Sequence, residues 1–185
     1  MKRYLIIFGL MISIPCLALA ESGHSPYAGE EKREIKALSQ QDVEGYLTGQ
    51  GMGFAKAAEL NHYPGPKHVL ELAGELRLGK EQIDQTKEVY DRMHKHAVSL
   101  GREIVDQERL LDHLFASGRI DAEKLREITL EIGTLRGELR AVHLEAHLEM
   151  RRILSPHQIQ RYDELRGYQG PGGEHRHQGH HGGHH

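Results

Sequence analysis

The sequence predicts an all-α fold: a long antiparallel α-hairpin with short flanking helices. Three observations carry that expectation. The stretches from Lys80 to Ala116 and from Ala122 to Leu154 repeat their apolar positions in steps of three, four and seven, the period of a helix buried along one side. A short Ser117-Gly118 break separates them, so the two helices must return as antiparallel neighbours. The composition suits helices: Leu, Ala, Glu, Arg and Lys are abundant, whereas aromatics are 5% with three Phe and no Trp, too few for a thick β-sandwich core.

The elements follow in order. Ser39 is placed to cap a helix over Gln40 to Leu47, Gly49, Gly51 and Gly53 interrupt, and Phe54 to Leu60 resumes helix. Tyr63-Pro64-Gly65-Pro66 is a turn, followed by a short amphipathic helix from His68 to Leu76. The first long helix carries Ile83, Tyr90, Met93, Ala97, Leu100, Ile104, Leu111 and Leu114 on its stripe. Asp121 caps the second, whose stripe is Leu125, Ile128, Ile132, Leu135, Leu139, Val142, Ala146, Met150 and Ile153. Ser155-Pro156 ends it and opens a last helix to Arg166. At a rise of 1.5 Å per residue, each long helix spans on the order of 50 Å. Two facing stripes leave Val89, Leu110, Phe115 and Leu148 outside, so the hairpin needs further helices or a second subunit as cover.

The ends are of a different kind. Residues 1–20 read as a secretory signal peptide, with Lys2 and Arg3 as the positive region, an apolar run to Leu19, and Ala18-Leu19-Ala20 as a small-x-small cleavage site. A retained N-terminal anchor is the competing reading, and Ser13-Ile14-Pro15 makes a poor lipobox before Cys16. Cleavage removes the only Cys, which excludes disulfides, thiolate metal sites and a Cys nucleophile, and it points to the periplasm. The predicted organisation is a signal peptide over 1–20, an N-terminal extension over 21–66, a helical domain over 67–168 and a His/Gly-rich, disordered tail over 169–185.

The chain holds 15 His, well above ordinary usage, and a net charge of -3 that offers no footprint for nucleic acid. Six of the histidines, His175, His177, His180, His181, His184 and His185, lie in the tail, where neutral imidazoles can chelate Zn, Ni, Co or Cu loosely. A purification tag is the plainer explanation, but the HHGGHH pattern is not an unbroken run. His143 and His147 are four apart on the second long helix, so both imidazoles share one face, one turn apart, and Met150 follows three residues on. The competing reading makes the two histidines helix-flank residues bonded to Glu across the hairpin, and makes Met93 and Met150 core filler. Leu144 stands where a zinc protease has its Glu, no nucleophile constellation is present, and Gly49-x-Gly51-x-Gly53 lacks the Lys of a P-loop, so no catalysis is expected. His94 and His96, two apart, do not share a face as an i, i+4 pair does; a second subunit could bring either toward His143. His62 and His68 flank the turn as surface residues.

Leu78-Gly79-Lys80-Glu81-Gln82 and Leu154-Ser155-Pro156-His157-Gln158 share a pattern: Leu, a cap or turn residue, two variable residues, then Gln, at the start of a helix. This resembles the LTxxQ boxes of the Spy/CpxP family of periplasmic stress chaperones, including its CnrX- and ZraP-like metal-responsive members, over about Val69 to Tyr168. Ser155 stands for Thr in the second box, whereas Gly79 departs in the first and weakens its cap. The resemblance implies an intertwined antiparallel homodimer. It also implies two functions. One is binding of divalent transition metals (Zn, Ni, Co or Cu) through His, Glu and Met, sensed or buffered, in some members with a membrane-bound regulator reading the signal; the HxxxH of His143 and His147 is similar to spacing used there. The other is ATP-independent holding of unfolded proteins, here on the apolar flank of the hairpin rimmed by Arg102, Arg109, Arg136, Arg140, Arg151 and Arg152. The Gly51–Pro66 segment falls outside the boxes, and no role is carried onto it.

Overall fold

The computed structural model describes residues 25–168, and among them every regular element is helical. The signal-peptide and tail expectations lie outside the described residues. The chain divides into two compact units. Of the first, which ends at Lys32, the described part holds a 3-10 turn over Glu30–Lys32, entered where the Gly29 amide donates to the Glu31 carboxylate (2.6 Å).

The second unit begins at Arg33 and carries six helices: α1 (Gln40–Leu47), α2 (Lys56–Glu59), α3 (Pro66–Glu71), α4 (Lys80–Ala116), α5 (Ala122–Ile153) and α6 (Pro156–Arg166). The two long helices, 37 and 32 residues, pack against each other as the expected hairpin. Their ends are local chemistry. Asp121 accepts from the Lys124 amide (2.8 Å) and so satisfies one of the free N–H groups of the first turn of α5. Ser39 with Asp42 and Ser155 with Gln158 form reciprocal capping boxes on α1 and α6. Gly79 has no side chain to cap α4, so only half of that box exists: Gln82 Oε1 accepts from the Gly79 amide (3.1 Å).

The two boxes also meet. The Gln82 and Gln158 amides exchange hydrogen bonds (2.9 and 3.0 Å), Gln82 donates to the Ile153 carbonyl (2.9 Å), and Gln158 donates to that of Leu76 (3.3 Å). A glutamine supplies donor and acceptor together, so one pair ties the start of α4 to the start of α6 and to the end of α5.

Two apolar clusters line the hairpin. One joins Ile35, Leu38 and Tyr46 to Ala97, Ile104, Val105, Leu135 and Leu139. The other joins Val69 and Leu76 to Val89, Ala146, Met150, Leu154 and Tyr162. Val89, which the hairpin alone leaves uncovered, is thus buried by α3 and the turn after it. Gly101 permits the first cluster to close, since a Cβ there would lie 2.1 Å from the Tyr46 carbonyl oxygen of α1.

Two short helices differ from expectation. The segment from Phe54 is helical only over Lys56–Glu59, because the glycine-rich run before it continues as turns through Ala55. The helix expected over His68 to Leu76 starts earlier, with Pro66 in its first turn, and stops at Glu71. Beyond it the chain turns, with Arg77 in the left-handed region (φ 50) and the Leu78 amide bonded to the Ala73 carbonyl (3.0 Å). Leu110, Phe115 and Leu148 remain exposed.

Candidate metal centre

Antiparallel pairing of α4 and α5 brings Met93 and His94 of one helix beside His143 and His147 of the other. The loop from Thr48 to Gly53, helix α2 and the turn at Gly65 close over them, and together they line a cleft of about 740 Å³. A partner subunit is therefore not needed to bring His94 toward His143. His96 points elsewhere, into a surface groove with Glu138 and Glu145.

Each imidazole has its own surroundings. His143 is 4% exposed, its ring stacks on Phe54 (centroids 5.8 Å apart), and its Nε2 is buried with no hydrogen-bond partner. Burial, reinforced by His147 and His94 nearby, lowers its pKa to about 4, so the ring is neutral across the ordinary pH range. His147 is buried too, and its Nδ1 lies 2.7 Å from the Tyr63 carbonyl oxygen. A carbonyl only accepts, so Nδ1 carries the proton and in the neutral ring Nε2 keeps a lone pair. His94 is held in the same way through Nε2 and the Thr48 carbonyl (3.1 Å), while its ring stacks on Tyr90. Orientation of an imidazole by a backbone carbonyl is the outer-shell arrangement that metal-binding histidines use.

Gly65 fits against His147 without a side chain: a Cβ there would lie 3.0 Å from Cε1, 3.2 Å from Nε2 and 3.3 Å from Glu59 Oε2. Glu59 itself anchors the cleft floor. It accepts from the hydroxyls of Tyr162 (2.6 Å) and Tyr168 (3.1 Å), and its carboxylate lies 3.5 Å from Arg166 Nε and 3.8 Å from His147 Nδ1. Burial and the Glu59 carboxylate together push the Tyr162 hydroxyl far up, so it stays a donor.

The other sequence candidates are placed as follows. Met150 is fully buried in the second apolar cluster rather than on the cleft lining. His62 pairs with Asp163 (2.8 Å), and His68, also on the cleft lining, with Glu71 (2.7 Å). His175, His177, His180, His181, His184 and His185 lie outside the described residues. Among the described residues, no three His, Cys, Asp or Glu side chains stand close enough together to hold a metal ion. Within this frame the residues able to offer a metal a lone pair are His94, His143, His147 and the thioethers of Met52 and Met93.

Sequence reading missed Glu59, Phe54 and Met52. Their signal was indirect: a run of three alternating glycines followed by a short Ala-rich helix has no packing role of its own, and such loops are where function is carried.

A family model described as heavy-metal resistance matches residues 51–161, which include the cleft loop from Gly51, α2 and both long helices. No curated protein and no solved structure matches the chain.

Proposed function

The chain belongs to the heavy-metal resistance family, and from that membership we propose that it is a periplasmic protein that binds transition-metal ions (Zn, Ni, Co or Cu) and senses or buffers them. The observation that supports this reading most is the buried His143 Nε2. An unpaired polar atom inside a protein costs about 1–3 kcal/mol, and a lone pair held neutral beside two carbonyl-oriented imidazoles gives that cost a purpose. The six tail histidines supply a second, looser set of imidazoles. Export rests on the signal-peptide pattern. Among the described residues, no helix is long and apolar enough to cross a membrane.

Titration of the full chain with each of the four metals tests the reading, in three forms: unchanged, with His143→Leu and His147→Leu together, and with the six tail histidines replaced by Asn. At least one metal should lose affinity in the first variant. Equal binding of every metal to all three forms defeats the proposal.

A second reading has its own observation. At the closed end of the hairpin Phe115 is 56% exposed and Leu130 66%, with Leu110 and Leu125 beside them in the sequence of the same turns. An apolar surface of this kind with charges around it suits unfolded chains or a second copy in an antiparallel dimer. Of the arginine rim, Arg109 is engaged by Glu34 and Asp106, and Arg136 by the buried Glu108. Phe115→Ser with Leu130→Ser should abolish suppression of client aggregation without metal; suppression at unchanged strength rules out this surface.

A further inference from the structure

Resting on the metal-binding reading of the same cleft, we propose that its preferred occupant is a soft monovalent ion, copper(I), held by thioether sulfur together with imidazole nitrogen. The thioethers come from Met52 and Met93, on opposite walls of the cleft that His94, His143 and His147 also line. Met52 is not there by default. Its backbone is in the left-handed region (φ 41), where a side chain costs about 1–2 kcal/mol relative to the right-handed one. Its side chain rests over Gly45 of α1, with Sδ 2.8 Å from where a Cβ of that glycine would stand. A strained non-glycine residue in a loop of glycines, 39% exposed although apolar, is a cost that packing alone does not return.

The charge of the walls points the same way. Among the described residues lining the cleft, Glu59 is the one carboxylate, and two tyrosine hydroxyls and Arg166 already engage it. Lys56 and Lys67 add two ammonium groups. The cost of bringing an ion from water into such a site rises with the square of its charge, and uncharged nitrogen and sulfur ligands do not offset a second positive charge. A monovalent ion therefore enters at far lower cost than a divalent one. Thioether sulfur selects copper(I) among the first-row ions, whereas imidazole alone serves zinc or nickel equally well. Divalent ions are left to the tail histidines, which carry no methionine among them.

The test is anaerobic competition of the full chain against a chromogenic copper(I) chelator, with zinc titrated in parallel. Met52→Leu with Met93→Leu keeps the volume and removes both sulfurs. Copper(I) affinity should fall at least about tenfold and zinc affinity stay within about twofold. Unchanged copper(I) affinity in a helical variant overturns the proposal, and so does an equal loss of both metals. A measurement without substitution guards against a variant that fails to fold. In the selenomethionine-labelled chain loaded with copper(I), absorption at the selenium edge should show copper as a neighbour; its absence overturns the proposal. The underlying reading fails separately, if loss of His143 and His147 alters the binding of no metal at all.

Discussion

Acid should destabilise this protein through His143, and replacing that residue should remove much of the effect. The folded state holds the ring neutral, with a pKa near 4 against 6.5 for a free side chain. The unfolded chain therefore takes up a proton first as pH falls. The stability associated with the neutral ring is complete above pH 6.5 and disappears through the window from 6.5 to 4. That offset corresponds to roughly 3 kcal/mol, of which about 2.5 kcal/mol is gone by pH 4.5. His143→Leu fills the space beside Phe54 with an apolar side chain and removes both the titration and the unpaired Nε2. Urea unfolding of the two proteins, followed by circular dichroism without metal at steps between pH 7.5 and 4.5, reads the difference. The variant should gain on the unchanged protein by about 2–3 kcal/mol over that range. Two parallel profiles, within about 0.5 kcal/mol of each other, would refute the placement of His143 as a buried neutral group.

Other expected outcomes follow from particular contacts. Gly101→Ala drives a Cβ into the Tyr46 carbonyl and should cost more than about 2 kcal/mol in denaturant unfolding, or separate α1 from α4. Gln158→Leu removes the α6 capping box and the exchange with Gln82, and should cost about 1–3 kcal/mol; a loss no larger than that of an exposed α6 substitution such as Gln160→Leu would show that the pair does not clamp the helices. Phe54→Ala uncovers one face of His143 and should raise that ring's pKa, read by the pH dependence of its imidazole proton resonances. Zinc held by the six tail histidines should be released as pH drops through roughly 6.5, where imidazole protonates, measured by zinc titration at stepped pH against the Asn-substituted form.

The hairpin was legible because it is written in short-range terms. Steps of three and four mark a helical face, and Asp121, Ser155 and Pro156 mark ends by chemistry confined to one turn, so α4 and α6 have the expected bounds and α5 stops one residue short. The pair His143 and His147 was legible for the same reason, since four residues on a helix fix two side chains to one face. His94 was not. Whether it meets His143 depends on how far α4 slides along α5, and that register is set by packing over both apolar clusters and by the Gln82–Gln158 clamp. Glu59 was less accessible still, because its partners Tyr162, Tyr168 and Arg166 stand about a hundred residues away in the chain.

What the amino-acid order determined by itself is thus the helical hairpin, its caps, its surplus of imidazole and its lack of thiol once the leader is removed. Tertiary structure alone decided which of those imidazoles share a cleft, which nitrogen of each is held by a carbonyl, and which sulfur faces them. The physical reason is range. Periodicity and capping act over one turn of chain, whereas burial, ring tautomer and the wall charges around His143 arise from residues that only folding brings together.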